Sequence, residues 1–163
     1  MKGKAFKFGD NISTDHIAPG RLFHLRSNLP EFAKHVLEDA DPNFASSMQK
    51  GDFVVAGNNF GLGSSREHAP QIIKIAGVGA VLAKSFARIF YRNAINIGLL
   101  AIECDTDGID ADDELDLDIE KGILQNITKG TITQIEPLPP VMIKLLNDGG
   151  LVEHIKKNGD FNL

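Results

Sequence analysis

Cysteine is almost absent from this sequence of 163 residues, which contains a single one, Cys104. One cysteine excludes an internal disulfide, and it excludes a cysteine-rich zinc or iron–sulfur site built from this chain alone. A lone cysteine is more often a small buried apolar residue than a nucleophile. The five histidines show neither His-x3-His nor His-Glu-x-x-His spacing. We therefore expect no metal site within this chain.

An excess of positive charge and a long apolar run are also missing. The formal net charge of -5 leaves no basic stripe for nucleic acid and no polybasic membrane anchor. No apolar run approaches the roughly 20 residues that span a bilayer. The first residues, MKGKAFKF, lack the apolar core of a signal peptide. We expect a cytoplasmic protein with neither a nucleic-acid nor a membrane partner, folded as one domain over residues 1–163.

Strand and helix signals alternate between residues 52 and 104. DFVVAG, AVLAKSF and LLAIEC are short apolar strands, and the segments 65–76 and 86–96 between them are predicted helices that end near a glycine. This alternation is typical of a parallel α/β layer. The segment before it contains a predicted strand at 2–8, and predicted short helices at 31–38 and 42–48.

The pattern changes after Asp105. LDLDIEKGILQNI alternates apolar and polar residues around Lys121-Gly122, which predicts a hairpin, and GTITQIE is a third antiparallel strand. Two helices follow at about 140–147 and 151–157. The fold class predicted from these patterns is a mixed α/β core with an added antiparallel sheet.

The stretch GLGSSREH, residues 61–68, lies between a predicted strand and a predicted helix. Gly61 and Gly63 allow positive φ and close approach of a ligand to the backbone. A helix N-terminus offers free N–H groups and the positive end of its dipole, so it binds anions. Ser64 and Ser65 add hydroxyl donors, and Arg66 adds a planar fork suited to a carboxylate or phosphate.

A purely structural interpretation of the same stretch is a capping box. Ser64 then caps the helix and Glu67 completes the box three residues later. This interpretation explains neither Ser65 nor Arg66 in a first turn, where the helix dipole disfavours a cation. A bound anion explains both, and the spacing matches neither a Walker loop nor a dinucleotide fingerprint.

A second polar cluster, STDHIAPG, covers residues 13–20. The adjacent Asp15 and His16 have acid–base or orienting chemistry, or else Asp15 caps a turn and His16 is solvated. Arg26, in HLRSN, is either a solvated loop residue or a second contact to the anion. The residues alone leave both questions open.

Three segments together, GDNISTDHI, GNNFGLGSSREHAP and AKSFARIFYRNAINIGLL, resemble the swivel domain of the aconitase family. The resemblance covers about residues 3–158. Within this family the chain is similar to the free-standing small subunits of the 3-isopropylmalate dehydratase and homoaconitase type. It implies a three-layer β/β/α fold with mixed parallel and antiparallel strands. It also implies a hydro-lyase that isomerises a hydroxy-polycarboxylate by dehydration and rehydration, as in leucine biosynthesis. The family's four-iron–four-sulfur cluster needs three cysteines, so it is expected on a large-subunit partner.

The resemblance also assigns roles to residues of this chain. Ser64 matches the catalytic base that removes a proton from the carbon next to the hydroxyl-bearing one. Arg66 matches the arginine that holds a substrate carboxylate and supports the serine alkoxide, and Ser65 matches a carboxylate contact. Asp15 matches an aspartate that pairs with a histidine of the cluster-bearing domain, and His16 accompanies it. Members of the family often have a small residue or cysteine between the two glycines, where this chain has Leu62. The larger side chain is expected to narrow the site slightly.

The substrate is left open between two classes. Small subunits of this length belong most often to 3-isopropylmalate dehydratases, whose substrate ends in an apolar isopropyl group. Arg26 matches the arginine that grips a distal carboxylate, which favours the tricarboxylate of a homoaconitase or aconitase. An unpaired charge buried against hydrocarbon would be costly. A non-catalytic anion- or RNA-binding regulatory module is the alternative from another class, and no basic or aromatic patch supports it.

Overall fold

Seven strands form one sheet in the computed structural model, which describes residues 1–159. The strands are β1 (Lys2–Lys7), β2 (Phe53–Ala56), β3 (Ala80–Ala83), β4 (Ala101–Glu103), β5 (Glu114–Asp118), β6 (Ile123–Asn126) and β7 (Thr131–Gln134). Their order is β4-β3-β2-β1-β5-β6-β7. Strands β1 to β4 pair in parallel, and β1, β5, β6 and β7 pair antiparallel. The predicted mixed α/β fold is confirmed.

Helices fill most of the connections between the parallel strands. They are α1 (Thr14–Ile17), a 3-10 helix (Gly20–Ser27), α2 (Leu29–Ala33), α3 (Phe44–Ser47), α4 (His68–Ala76) and α5 (Arg88–Asn96). Two further helices, α6 (Pro140–Asn147) and α7 (Leu151–Asn158), follow β7. In the part of the chain that the structure describes, no helix combines the length and apolar character that crossing a membrane requires.

The parallel half of the sheet is buried on both faces. Every residue of β2 and β3 is buried, which is typical of parallel strands. Because side chains alternate along a strand, Val54 and Val81 face the helices, whereas Phe53 and Leu82 face the antiparallel strands. The helices, the parallel strands and the antiparallel strands thus form the three layers that the resemblance implied.

Strand β1 joins the two halves of the sheet. Its second half, Ala5 to Lys7, pairs in parallel with β2, and its first half, Lys2 to Lys4, pairs antiparallel with β5. The carboxyl ends of β1 to β4 lie along one edge of the sheet. The loops that follow β1 and β2 at this edge carry the two polar clusters of the sequence.

The bounds of two predicted helices differ from the structure by more than two residues. The helix predicted at 31–38 is α2, which ends at Ala33 and continues as turns, and Leu37 has a positive φ of 56° that ends any helical run. It starts early because the Asn28 side chain accepts a hydrogen bond from the Glu31 N–H. The helix predicted at 65–76 begins only at His68.

Candidate functional site

The loops after β1 and β2 are joined by backbone hydrogen bonds. The Gly61 N–H donates to the Ile12 carbonyl at 2.7 Å, and the Thr14 N–H donates to the Leu62 carbonyl at 2.8 Å. Ser13 and Leu62 form an isolated parallel bridge between these contacts. This pairing lays the STDH segment against the GLGSS segment, so the two polar clusters form one site.

Gly61 and Gly63 of the second loop are required by its geometry. Gly61 has a φ of 83°, and a Cβ there would lie 2.2 Å from Cγ of Phe90. Gly63 has a φ of 103°, and a Cβ would lie 3.2 Å from Oγ1 of Thr14. Side chains at these positions would strain the backbone and push the loop away from its neighbours. Gly61 therefore allows close packing of this loop against α5, and Gly63 allows close packing against the first loop.

Ser64 and Ser65 lie in the loop, and both are exposed. The predicted helix N-terminus at these serines is wrong, because the Arg66 N–H donates to the Ser64 carbonyl at 2.8 Å and turns the chain away from helical geometry. The alternative capping box is wrong as well, because α4 has Glu67 at its N-cap and no side-chain cap. Ser64 therefore has no capping role, and its hydroxyl oxygen lies 3.5 Å from that of Thr14.

Arg66 and Asp15 form an ion pair between the two loops. Nη1 of Arg66 lies 2.5 Å from Oδ1 of Asp15, and it also donates to the Ala18 carbonyl at 3.3 Å. The Arg66 side chain is 22% exposed and the Asp15 side chain 64% exposed. The resemblance pairs Asp15 with a histidine of another domain, whereas within this chain its carboxylate orients the guanidinium.

His16 holds the start of α1. Its Nδ1 accepts a hydrogen bond from the Ser13 N–H at 2.9 Å, and the Ser13 hydroxyl accepts one from the His16 N–H at 3.2 Å. This reciprocal capping box makes Ser13, not Asp15, the cap, so the alternative of a turn-capping Asp15 is wrong. His16 is half-buried and tied to the loop, so its first role is to fix the segment that presents Asp15.

Arg26 lies on the exposed side of the 3-10 helix. Its Nη1 donates to the Phe23 carbonyl at 3.1 Å, and its Cζ lies 4.3 Å from the centroid of the Phe23 ring. The Cζ of Arg66 lies 5.6 Å from the same centroid. The structure thus brings the two arginines to one aromatic ring, and Arg26 is exposed rather than buried.

Sequence reasoning missed three residues of this site. Thr14 is buried beside the Ser64 hydroxyl, Phe23 contacts both arginines, and the His68 ring packs against Phe23. Thr14 lies within the segment STDHIAPG and His68 within GLGSSREH, so their place in these polar clusters could have indicated them. Phe23 is exposed and lies in a segment without helical period, and nothing in the pattern singled it out.

An iron–sulfur cluster does not fit the residues of this chain. Cys104 is a free cysteine, and burial raises the pKa of its thiol to about 11, with a smaller effect from Asp105. Cluster ligands are thiolates, and several are needed. Residues 1–159 contain no group of three or more His, Cys, Asp or Glu side chains placed to hold a metal ion.

Comparison with known proteins identifies the family. The aconitase C-terminal domain family matches residues 10–107, which include both loops of the site. The 3-isopropylmalate dehydratase small subunit 2 of Archaeoglobus fulgidus is 63% identical over 100% of this chain and 99% of that protein. The small subunit 1 of the same enzyme from Thermotoga maritima is 60% identical over 99% of this chain and 98% of that protein.

A solved structure agrees. The crystal structure of 3-isopropylmalate dehydratase (leuD) from Methanocaldococcus jannaschii matches with a TM-score of 0.91 and 45% identity, over 97% of this chain and 94% of that chain. Family match, relatives and structure all cover the paired loops. This chain belongs to the aconitase C-terminal domain family, in the group of 3-isopropylmalate dehydratase small subunits.

Proposed function

We propose that this chain is the small subunit of a 3-isopropylmalate dehydratase, a hydro-lyase that moves a hydroxyl group between adjacent carbons by dehydration and rehydration. The identities of 63% and 60% over nearly whole chains support this assignment. The observation that carries it is the exposed Ser64 next to an arginine already oriented by a carboxylate. We keep the predictions that the chain forms one domain, that it is cytoplasmic, and that it has no nucleic-acid or membrane partner.

The active enzyme is proposed to need a large subunit that brings the iron–sulfur cluster. Two features of this chain support that requirement. Its one cysteine is a poor ligand, because the raised pKa keeps the thiol protonated at neutral pH. Ser64, Ser65 and Asp15 are all exposed at one edge of the sheet, so a second surface is needed to exclude water from the reaction.

In this proposal the Ser64 alkoxide is the base. It takes the proton from the substrate carbon next to the hydroxyl-bearing carbon and becomes a neutral hydroxyl, while a C=C bond forms and the hydroxyl group leaves the neighbouring carbon with the electron pair of the C–O bond. The same group returns the proton on rehydration. Arg66 binds a substrate carboxylate through the guanidinium nitrogens that Asp15 and the Ala18 carbonyl leave free. Ser65 donates to the same carboxylate, and His16 keeps the Asp15 segment in place.

Arg26 had favoured a substrate with a third carboxylate, because an unpaired buried charge would be costly. That cost does not arise here, since Arg26 is exposed, donates to the Phe23 carbonyl and lies on the Phe23 ring. Within this chain the objection to an isopropyl group therefore does not hold. The identities with 3-isopropylmalate dehydratase small subunits then support 3-isopropylmalate as the substrate over homocitrate or citrate.

The test is reconstitution with the large subunit of the same organism under anaerobic conditions. The chain alone should be colourless and inactive, and the complex should turn over 3-isopropylmalate in preference to homocitrate and citrate. Activity of the chain alone after iron–sulfide treatment would overturn the two-subunit proposal. Preference of the complex for a tricarboxylate would overturn the substrate.

A further inference from the structure

An aromatic stack connects the hydrophobic core to the two arginines of the candidate site. It begins at Phe32, which is fully buried. The ring of His68 is stacked on Phe32, with centroids 5.5 Å apart and planes at 28°. Phe23 then meets His68 edge to face, with centroids 5.7 Å apart and planes at 61°. The imidazole is thus the link between a fixed ring and an exposed one.

The outer ring of the stack has no other aromatic support among the described residues. Phe23 is 42% exposed, and it lies on the 3-10 helix that carries Arg26. Both guanidiniums lie within cation–π range of this ring, Arg26 at 4.3 Å and Arg66 at 5.6 Å. The position of the Phe23 ring therefore influences both cations, and His68 is the aromatic residue that supports it from the core side.

His68 also connects two parts of the chain. It is the first residue of α4 and follows Arg66 by two positions, whereas Phe23 and Arg26 come from the segment between β1 and β2. A change in the ring contact would shift these segments relative to each other. The spacing of the two guanidiniums would change with them.

The neutral, unprotonated form of the His68 imidazole fits the position between Phe32 and Phe23. The Nε2 atom is buried without a hydrogen-bond partner among residues 1–159. Burial lowers the pKa of His68, and the charges of Arg66 and Arg26 lower it further. An uncharged ring supports Phe23 without adding a third cation beside the two guanidiniums.

We propose that His68 is a positioning residue, which holds Phe23 between the core and the guanidiniums of Arg66 and Arg26. The stack sets the spacing of the two cations before substrate binds. This inference rests on the proposed function, because Arg66 is taken to bind a carboxylate of the substrate. The side chain of His68 itself does not touch the reacting atoms.

The experiment compares His68→Ala, which removes the ring, with His68→Phe, which keeps it. In the reconstituted complex, His68→Ala should raise KM for 3-isopropylmalate by about 3- to 10-fold and change kcat less than about 2-fold, since the Phe23 ring that contacts Arg66 loses its support. His68→Phe should restore the wild-type KM. Equal KM values for the two variants would overturn the proposal.

A second readout needs neither partner nor turnover. In the NMR spectrum of the full chain, the Arg66 Nε–Hε resonance, assigned with Arg66→Lys, should move in His68→Ala and return in His68→Phe. An unmoved resonance in His68→Ala would overturn the positioning role even if the wild-type complex is active. Should His68→Ala not fold, Phe23→Leu removes the outer ring and should cause the same rise in KM. Inactivity of the wild-type complex would instead count against the proposed function.

Discussion

Asp15 and Arg66 lie on different loops, and their side chains meet with 2.5 Å between Oδ1 and Nη1. The pair exists because backbone hydrogen bonds hold the two loops in register. Asp15→Asn should lower kcat/KM of the complex by about tenfold, because a charge-assisted hydrogen bond that orients Arg66 is lost. The free energy of unfolding should fall by less than about 1 kcal/mol, since the aspartate is mostly exposed.

The control for Asp15 is Glu31→Gln, which breaks the exposed 2.8 Å ion pair between Glu31 and Lys34. It should leave turnover at the wild-type value. Chemical denaturation and steady-state kinetics on the same preparations separate the two quantities. A normal kcat/KM in Asp15→Asn would show that Arg66 does not depend on its partner.

Ser64→Ala tests the proposed base. In the complex it should lower kcat by about 10² to 10⁴-fold with little change in KM, as expected for loss of a proton-transfer group. Stability should not change, because α4 begins at His68 and Ser64 caps nothing. The matched variant Ser65→Ala should mainly raise KM. A kcat for Ser64→Ala within tenfold of the wild type would contradict the assignment.

Arg26→Val tests the substrate. Any turnover of homocitrate or citrate should fall by about 10- to 150-fold, because a hydrogen bond to a charged carboxylate is lost. Turnover of 3-isopropylmalate should stay the same or improve. The measured quantity is the ratio of kcat/KM for the two substrate classes, with His24→Ala on the same 3-10 helix as the control. A constant ratio would mean that Arg26 faces solvent in the complex.

Cys104 should react slowly with thiol reagents. Its pKa of about 11 leaves only a trace of thiolate at pH 8, so alkylation by iodoacetamide should be about 100-fold slower than for an unfolded chain. Mass spectrometry over time gives the rate. Cys104→Ala should also leave the iron and acid-labile sulfide content of the complex unchanged. Rapid alkylation of the native chain, or loss of iron in this variant, would contradict the expectation.

His68 should make stability depend on pH. Its pKa lies below the ordinary 6.5 in the folded chain, so the unfolded chain binds the proton first as the pH falls. The contribution of His68 is therefore full above pH 6.5 and decreases as the pH falls from there toward the folded-state pKa. The free energy of unfolding of wild type minus that of His68→Phe should decline across pH 7.5 to 5.5. Parallel curves would contradict the lowered pKa.

Local signals were sufficient to predict most of the fold. β2 and β3 are continuous apolar runs bounded by polar residues, and the Lys121-Gly122 turn marks the hairpin of β5 and β6. The start of α4 was mispredicted because Ser64 and Glu67 satisfy the spacing of a capping box. The conformation of the loop that contains Ser64 is set by its pairing with the Ser13–Thr14 segment, which is remote in sequence. Such tertiary contacts outweigh the local pattern.

Part of the candidate site could be predicted from the sequence, and part could not. Ser64, Ser65 and Arg66 are consecutive in the sequence, so their pattern alone predicts an anion-binding site. The Asp15–Arg66 pair and the contact of Phe23 with both arginines depend on which loops meet, and a single sequence carries no signal for that. The sequence argument that Arg26 binds a third carboxylate assumed that its side chain is buried, and composition does not indicate burial.

The two-way pairing of β1 has a consequence for how the chain acquires its structure. The partner of Lys2 is Asp116, more than a hundred residues away, whereas Ala5 to Lys7 pair with β2, which is less than half as far along the chain. Contacts of high sequence separation form slowly, because the connecting loop must close first. During synthesis, the parallel layer can assemble while the edge of β1 that β5 will occupy is still unpaired. That strand edge is the place where a chaperone or an unwanted second chain would compete with β5.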